Sequence, residues 1–123
     1  MKKIKWLLQL LILYVVLFGL ISWALAEDSK IYNVTAYCAC EKCCGKWADG
    51  ITASGEKAIE GVTCAASRNI PFGTKLEIES VGIRVVQDRL ALKYDDRIDI
   101  YFENHQKALE FGKKKLKVRY VEK

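Results

Sequence analysis

Two stretches, Val85-Val86-Gln87-Asp88 and Arg97-Ile98-Asp99-Ile100-Tyr101-Phe102, decide the fold. Both are short and rich in β-branched or aromatic residues. Each reads as a β-strand carrying one aspartate, with the polar segment 89–96 as the loop between them. Alternation in the second strand sets Ile98, Ile100 and Phe102 on one face and Arg97, Asp99 and Tyr101 on the other. A carboxylate flanked on its own face by a cation and an aromatic suits a cleft better than a core. Asp99 is therefore the first candidate for chemistry, with Asp88 as its expected neighbour across the sheet.

Similar patterns recur along the chain. Ile31-Tyr32-Asn33-Val34-Thr35-Ala36-Tyr37 alternates as a first strand, and 62–66 is a short second one. Segments 75–79 and 83–88 are strands separated by Ser80-Val81-Gly82, and 116–121 is a final alternating strand. Ile70-Pro71-Phe72-Gly73-Thr74 is a turn set by its proline and glycine. Asn104 is placed to cap a short helix over 105–111 and Gly112 to stop it. Residues 38–61 are rich in Cys, Gly, Asp and Lys without helical periodicity, which predicts a long structured loop. Short strands at this spacing with one small helix predict an all-β chain, a compact β-barrel over 31–123.

The N-terminus bears on the compartment. Met1-Lys2-Lys3-Ile4-Lys5 is basic, 6–25 is apolar apart from Gln9, Ser22 and small residues, and Ala24-Leu25-Ala26 is a small-x-small cleavage site before Glu27. Signal-peptide apolar cores run to about 15 residues, whereas about 20 span a bilayer. Residues 1–26 therefore read as either a secretory signal peptide or an uncleaved membrane anchor. Either way, the leading positive charges place the remainder outside the cytoplasmic membrane, secreted to the wall or held at the membrane's outer face.

Of 20 basic residues, Lys2, Lys3 and Lys5 precede Glu27, which leaves 17 against 15 acidic residues, a net of +2. That balance argues against nucleic acid as a partner. The run Lys113-Lys114-Lys115-Leu116-Lys117 reads as the end of a helix leading into an exposed edge strand, with solvated lysines. The domain of about 97 residues can bury a modest single core.

Several segments together resemble a known family. Thr35-Ala36-Tyr37-Cys38, then Cys43-Cys44-Gly45-Lys46-Trp47-Ala48-Asp49-Gly50, then Thr52-Ala53-Ser54-Gly55 resemble the opening of secreted three-aspartate (3D) domains. Ile70-Pro71-Phe72-Gly73-Thr74, the Asp88 strand, the Asp99 strand and the segment from His105 through Ala108 to Phe111-Gly112 continue the likeness over 32–121. That family is similar to rare-lipoprotein-A-like double-psi β-barrels and to the catalytic barrel of the membrane-bound lytic transglycosylase A type. The resemblance implies a six-stranded double-psi β-barrel, peptidoglycan glycan strands as partner, and aspartates clustered in a groove. The family pattern has three aspartates and this chain keeps two, Asp88 and Asp99. Ala66 stands where the first would fall, and 89–96 replaces a glycine-containing loop.

The activity implied is non-hydrolytic cleavage of the bond between N-acetylmuramic acid and N-acetylglucosamine, giving 1,6-anhydro products. Because the nucleophile is the substrate's own C6 hydroxyl, one carboxyl can act as acid and then as base, which relaxes the two-carboxylate requirement of ordinary glycosidases. Such an acid must climb from roughly 3.9 to about 6 or above. On this reading Asp99 is the acid/base and Asp88 tunes or orients it, while Tyr37, Thr52, Arg89 and Tyr101 line the glycan site. The plainer alternative is that both aspartates cap turns or pair with Arg89 and Arg97. A second alternative is a non-catalytic wall-binding module that lost turnover with the change at Ala66. No cofactor and no metal are expected. Asp95-Asp96 read as turn residues, His105 as a surface or packing residue, and Trp47 as a sugar platform or a pin for the loop.

Cys38, Cys40, Cys43, Cys44 and Cys64 are candidates for disulfides, the default in an exported domain, although an odd count leaves one over. Their spacing is not the paired C-x2-C of zinc ribbons, and the adjacency of Cys43 and Cys44 makes a shared tetrahedral site awkward. A bridge from the loop to Cys64 is the attractive long-range pairing, with zinc and free thiols as the other readings.

Overall fold

The computed structural model describes residues 2–24 and 29–122. The elements follow in the order α1 (Lys2–Ala24), β1 (Ser29–Tyr37), α2 (Glu41–Cys44), a 3-10 turn (Gly45–Trp47), β2 (Thr63–Ala66), β3 (Lys75–Ile78), β4 (Gly82–Arg89), β5 (Arg97–Tyr101), α3 (His105–Phe111) and β6 (Lys114–Glu122). The strands close into a six-stranded barrel in the order β1-β5-β2-β4-β3-β6. The β1/β5 and β2/β4 pairs are parallel and the other four antiparallel.

Each strand contributes the apolar half of its alternation to one core. Tyr32 and Val34, Cys64 and Ala66, Leu76 and Ile78, Val86, Ile98 and Ile100, and Val118 form a single buried cluster. Burial of each large aliphatic side chain contributes about 1.5–3 kcal/mol. The helix α3 forms where Asn104 was expected to cap it: the Asn104 side chain accepts from Gln106 N and Lys107 N at 2.7 and 3.2 Å. It ends at Gly112, whose φ of 70° lies in the left-handed region. Ala108 is buried, and the Phe102 and Phe111 rings meet at 5.8 Å.

Three expectations are corrected. The β4 and β5 strands are not neighbours, because β2 runs between them, so Asp88 and Asp99 do not face each other directly. The lysine run does not form a sheet edge: β6 pairs with β1 on one side and β3 on the other, and barrel closure leaves the described strands no free edge there. The loop 38–61 contains α2 and the 3-10 turn, each too short to give a helical period.

Ala66, the position where the family's first aspartate would fall, is fully buried in the core cluster. Residues 3–16 of α1 are exposed throughout, and among the described residues no helix is long and apolar enough to cross a membrane. The expected cleavage boundary after Ala26 lies outside the described residues, as does the side chain of Trp47.

Candidate functional site

The site begins with a break in strand periodicity. Val86 opposes Cys64 and both are buried in the core, so strict alternation would send Asp88 inward as well. Instead Asp88 opposes Ala65, and Gln87 is left without a partner on β2. One extra residue reverses the parity of a strand, so this bulge turns Asp88 to the face that Ala65 shares with Asp99, its partner on β5. Gln87 is satisfied by its own contacts: it accepts from the Thr63 hydroxyl at 2.6 Å and donates to Glu56 at 3.0 Å. Asp88 and Asp99 thus flank Ala65, two strand spacings or about 10 Å apart in the backbone.

Asp88 is firmly held. Its Oδ2 accepts from the Tyr37 hydroxyl at 2.8 Å. Its Oδ1 accepts from the backbone N–H groups of Ala53 at 3.0 Å and Arg89 at 2.9 Å. The Ala53 donor is supplied by the Thr52-Ala53-Ser54-Gly55 turn, closed by Gly55 N to Thr52 O at 2.9 Å and tied to β4 by Ser54 N to Gln87 O at 3.0 Å. Burial and the negative charge of Asp88 raise the Tyr37 phenol far above its ordinary range, so it remains a donor.

Asp99 stands in a different environment. Its Oδ1 accepts from the hydroxyl of Thr35, directly across the parallel β1/β5 register. Burial raises its carboxyl from the ordinary 3.8 to about 6, the positive charge of Arg97 opposes that rise, and the charge of Asp88 adds to it. The like charge of Asp88 is the smallest of these causes. Arg97 stacks its guanidinium 3.8 Å from the Tyr94 ring centre. The result is one fixed acceptor and one carboxyl that gains or loses a proton near pH 6.

The four expected glycan contacts, Tyr37, Thr52, Arg89 and Tyr101, differ in placement. The Tyr37 ring meets that of Tyr101 edge-on at 5.5 Å, and Tyr101 is itself buried. Thr52 is buried, with its hydroxyl 2.9 Å from that of Ser54, so it shapes the turn. Arg89 lies 3.8 Å from the Phe72 ring centre and donates to Ser67 O at 3.3 Å. Two concavities of about 290 and 280 Å³ lie elsewhere, the first lined by Ser29, Glu77, Glu79, Lys117 and Arg119, the second by residues of β1 and β6. Neither includes Asp88 or Asp99. Thr35 and the Ala53 N–H were missed as site groups, although alternation along β1 puts Thr35 on the Tyr37 face.

All five cysteines are free thiols in the structure. The sulfurs of Cys38, Cys40 and Cys43 gather around the Nδ1 of His105, at 3.3, 3.2 and 3.3 Å respectively. Cys38 Sγ lies 2.9 Å from Cys40 Sγ and 3.0 Å from Cys43 Sγ, well beyond a disulfide bond of about 2.05 Å. His105, read as a surface or packing residue, is therefore part of this cluster. Cys44 turns away and donates its thiol to Cys38 O at 3.1 Å, which removes the crowding expected of adjacent cysteines. Cys64 is buried in the barrel core, and the cluster forms without it.

No protein-family model matches the chain, and no curated protein sequence matches it either.

Proposed function

We propose that this chain is an exported peptidoglycan lytic transglycosylase built on a double-psi β-barrel, with Asp99 as the acid/base. One observation carries the reading: a partly buried carboxyl near pKa 6, held by Thr35, on the same barrel face as a second carboxylate that is fixed in place two strands away. The closed six-stranded barrel with two parallel pairs is compatible with double-psi topology.

On this reading protonated Asp99 gives its proton to the glycosidic oxygen as the bond from that oxygen to the anomeric carbon of the muramic acid breaks. The C6 hydroxyl of the same sugar closes on the anomeric carbon, and its proton passes to Asp99, which returns to its starting form. No water is consumed. Asp88 orients the site through its three hydrogen bonds and adds to the charge that keeps Asp99 neutral. The exposed apolar side chains of α1 support retention at the membrane's outer face, with peptidoglycan glycan strands as the partner and no role for nucleic acid.

A second reading, a wall-binding module without turnover, draws on two observations: the buried methyl at Ala66 and the absence of either aspartate from the two concavities. Incubation of the full chain in detergent with purified peptidoglycan separates them. Release of 1,6-anhydromuropeptides, detected by mass spectrometry and lost in a folded Asp99→Asn protein, is the expected result. Sedimentation with insoluble wall and no released fragment would establish the binder instead.

A further inference from the structure

The geometry points to a closed zinc site formed by Cys38, Cys40, Cys43 and His105. The four ligand atoms lie within 4.8 Å of one another, three sulfurs and one imidazole nitrogen from two distant parts of the chain. Cys38 directly follows β1, Cys40 caps α2, Cys43 lies within it, and His105 opens α3. The turn of α2 brings the second and third sulfurs to one side: Cys43 N and Cys44 N both donate to Cys40 O, at 3.1 and 2.9 Å.

The convergence distinguishes a metal from a disulfide. A disulfide would join two sulfurs and leave the third, with no reason for an imidazole nitrogen to stand about equally far from all three. A single cation satisfies all four donors at once. Zinc at about 2.3 Å from sulfur and 2.0–2.1 Å from nitrogen sets tetrahedral donors about 3.5–3.8 Å apart. Five of the six separations lie at 2.9 to 3.3 Å and need to open by less than about 1 Å, and all six lie within 4.8 Å. Three thiolates and one imidazole are a donor set that borderline-soft zinc prefers, whereas calcium and magnesium take oxygen ligands. Four protein ligands leave no open position, so the site is structural.

Its mechanical role follows from what it joins. Cys38 adjoins Tyr37, whose hydroxyl holds Asp88, and His105 begins the helix packed through Phe111 on Phe102. The metal clamps the end of β1 to the start of α3 across more than 60 residues of sequence and steadies the strand end that carries Tyr37. This inference stands whether or not the barrel cleaves glycan.

The test titrates the reduced full chain, in detergent, with zinc and with cobalt(II) as a spectroscopic substitute. Equimolar binding, tetrahedral cobalt bands with thiolate charge transfer, and a higher unfolding temperature with zinc are expected. Cys43→Ser and His105→Gln, at exposed and half-buried positions, should lose stoichiometric binding and the zinc-dependent rise. Cys44→Ser, outside the ligand set, should keep both. Absence of zinc binding by the folded reduced protein would overturn the site, as would equal binding by the Cys43 and His105 variants. A disulfide among the three cysteines that persists in zinc-replete protein would overturn it too.

Discussion

The Tyr37 hydroxyl donates to Asp88 Oδ2 at 2.8 Å, joining the end of β1 to the end of β4 across 51 residues. This bond ties together two strands that are not paired in the barrel, and it fixes the carboxylate that the β4 bulge exposes. A hydrogen bond to a carboxylate contributes about 1.5–3 kcal/mol. Tyr37→Phe should therefore lower the free energy of unfolding in urea by about that amount. It should also reduce anhydromuropeptide release by roughly tenfold, corresponding to about 1.4 kcal/mol of lost positioning. Unchanged release from a destabilised but folded variant would remove Asp88 from the proposed reaction.

Asp99 makes the pH dependence specific. Its folded carboxyl titrates at about 6 and the unfolded one at 3.8, so between those values the folded chain holds a proton that the unfolded chain has released. Its contribution favours folding below about pH 4 and is withdrawn as pH rises through 6. Asp99→Asn cannot ionise. Its stability relative to the parent should therefore rise across that window, by up to about 3 kcal/mol in denaturant titrations at pH 4 and 7. The same titration predicts that parent kcat/KM for glycan falls above about pH 6, as the acid form is depleted.

Ala66 offers a test of the fold against the family pattern. An aspartate at this position would extend into the core cluster beside Val34, Cys64 and Val86. Ala66→Asp should thus destabilise the barrel by at least about 3 kcal/mol, read from its unfolding midpoint, and should not raise activity. A folded, more active variant would show that this side chain reaches the Asp88 face instead.

The barrel was legible in the sequence to a large extent, and the reasons are local. The strand at β5 announces itself because Ile98, Ile100 and Phe102 alternate with polar residues, and α3 because Asn104 and Gly112 mark its two ends. Alternation along β5 also singles out Asp99, whose carboxyl burial raises to about 6. The Ala53 donor was not legible because it is a backbone group, and only the folded turn aims that N–H at Asp88.

Sequence by itself determined the strand segments, the two ends of α3 and the apolar face of the regularly alternating strands, since these depend on neighbours a few residues apart. Tertiary structure alone decided that β2 separates the two aspartate strands, that Gln87 bulges so Asp88 turns out of the core, and that His105 meets three cysteines 62 to 67 residues away. Periodicity fixes only direction within a strand. Closure of the barrel fixes register and partner, and those place the side chains of a site together.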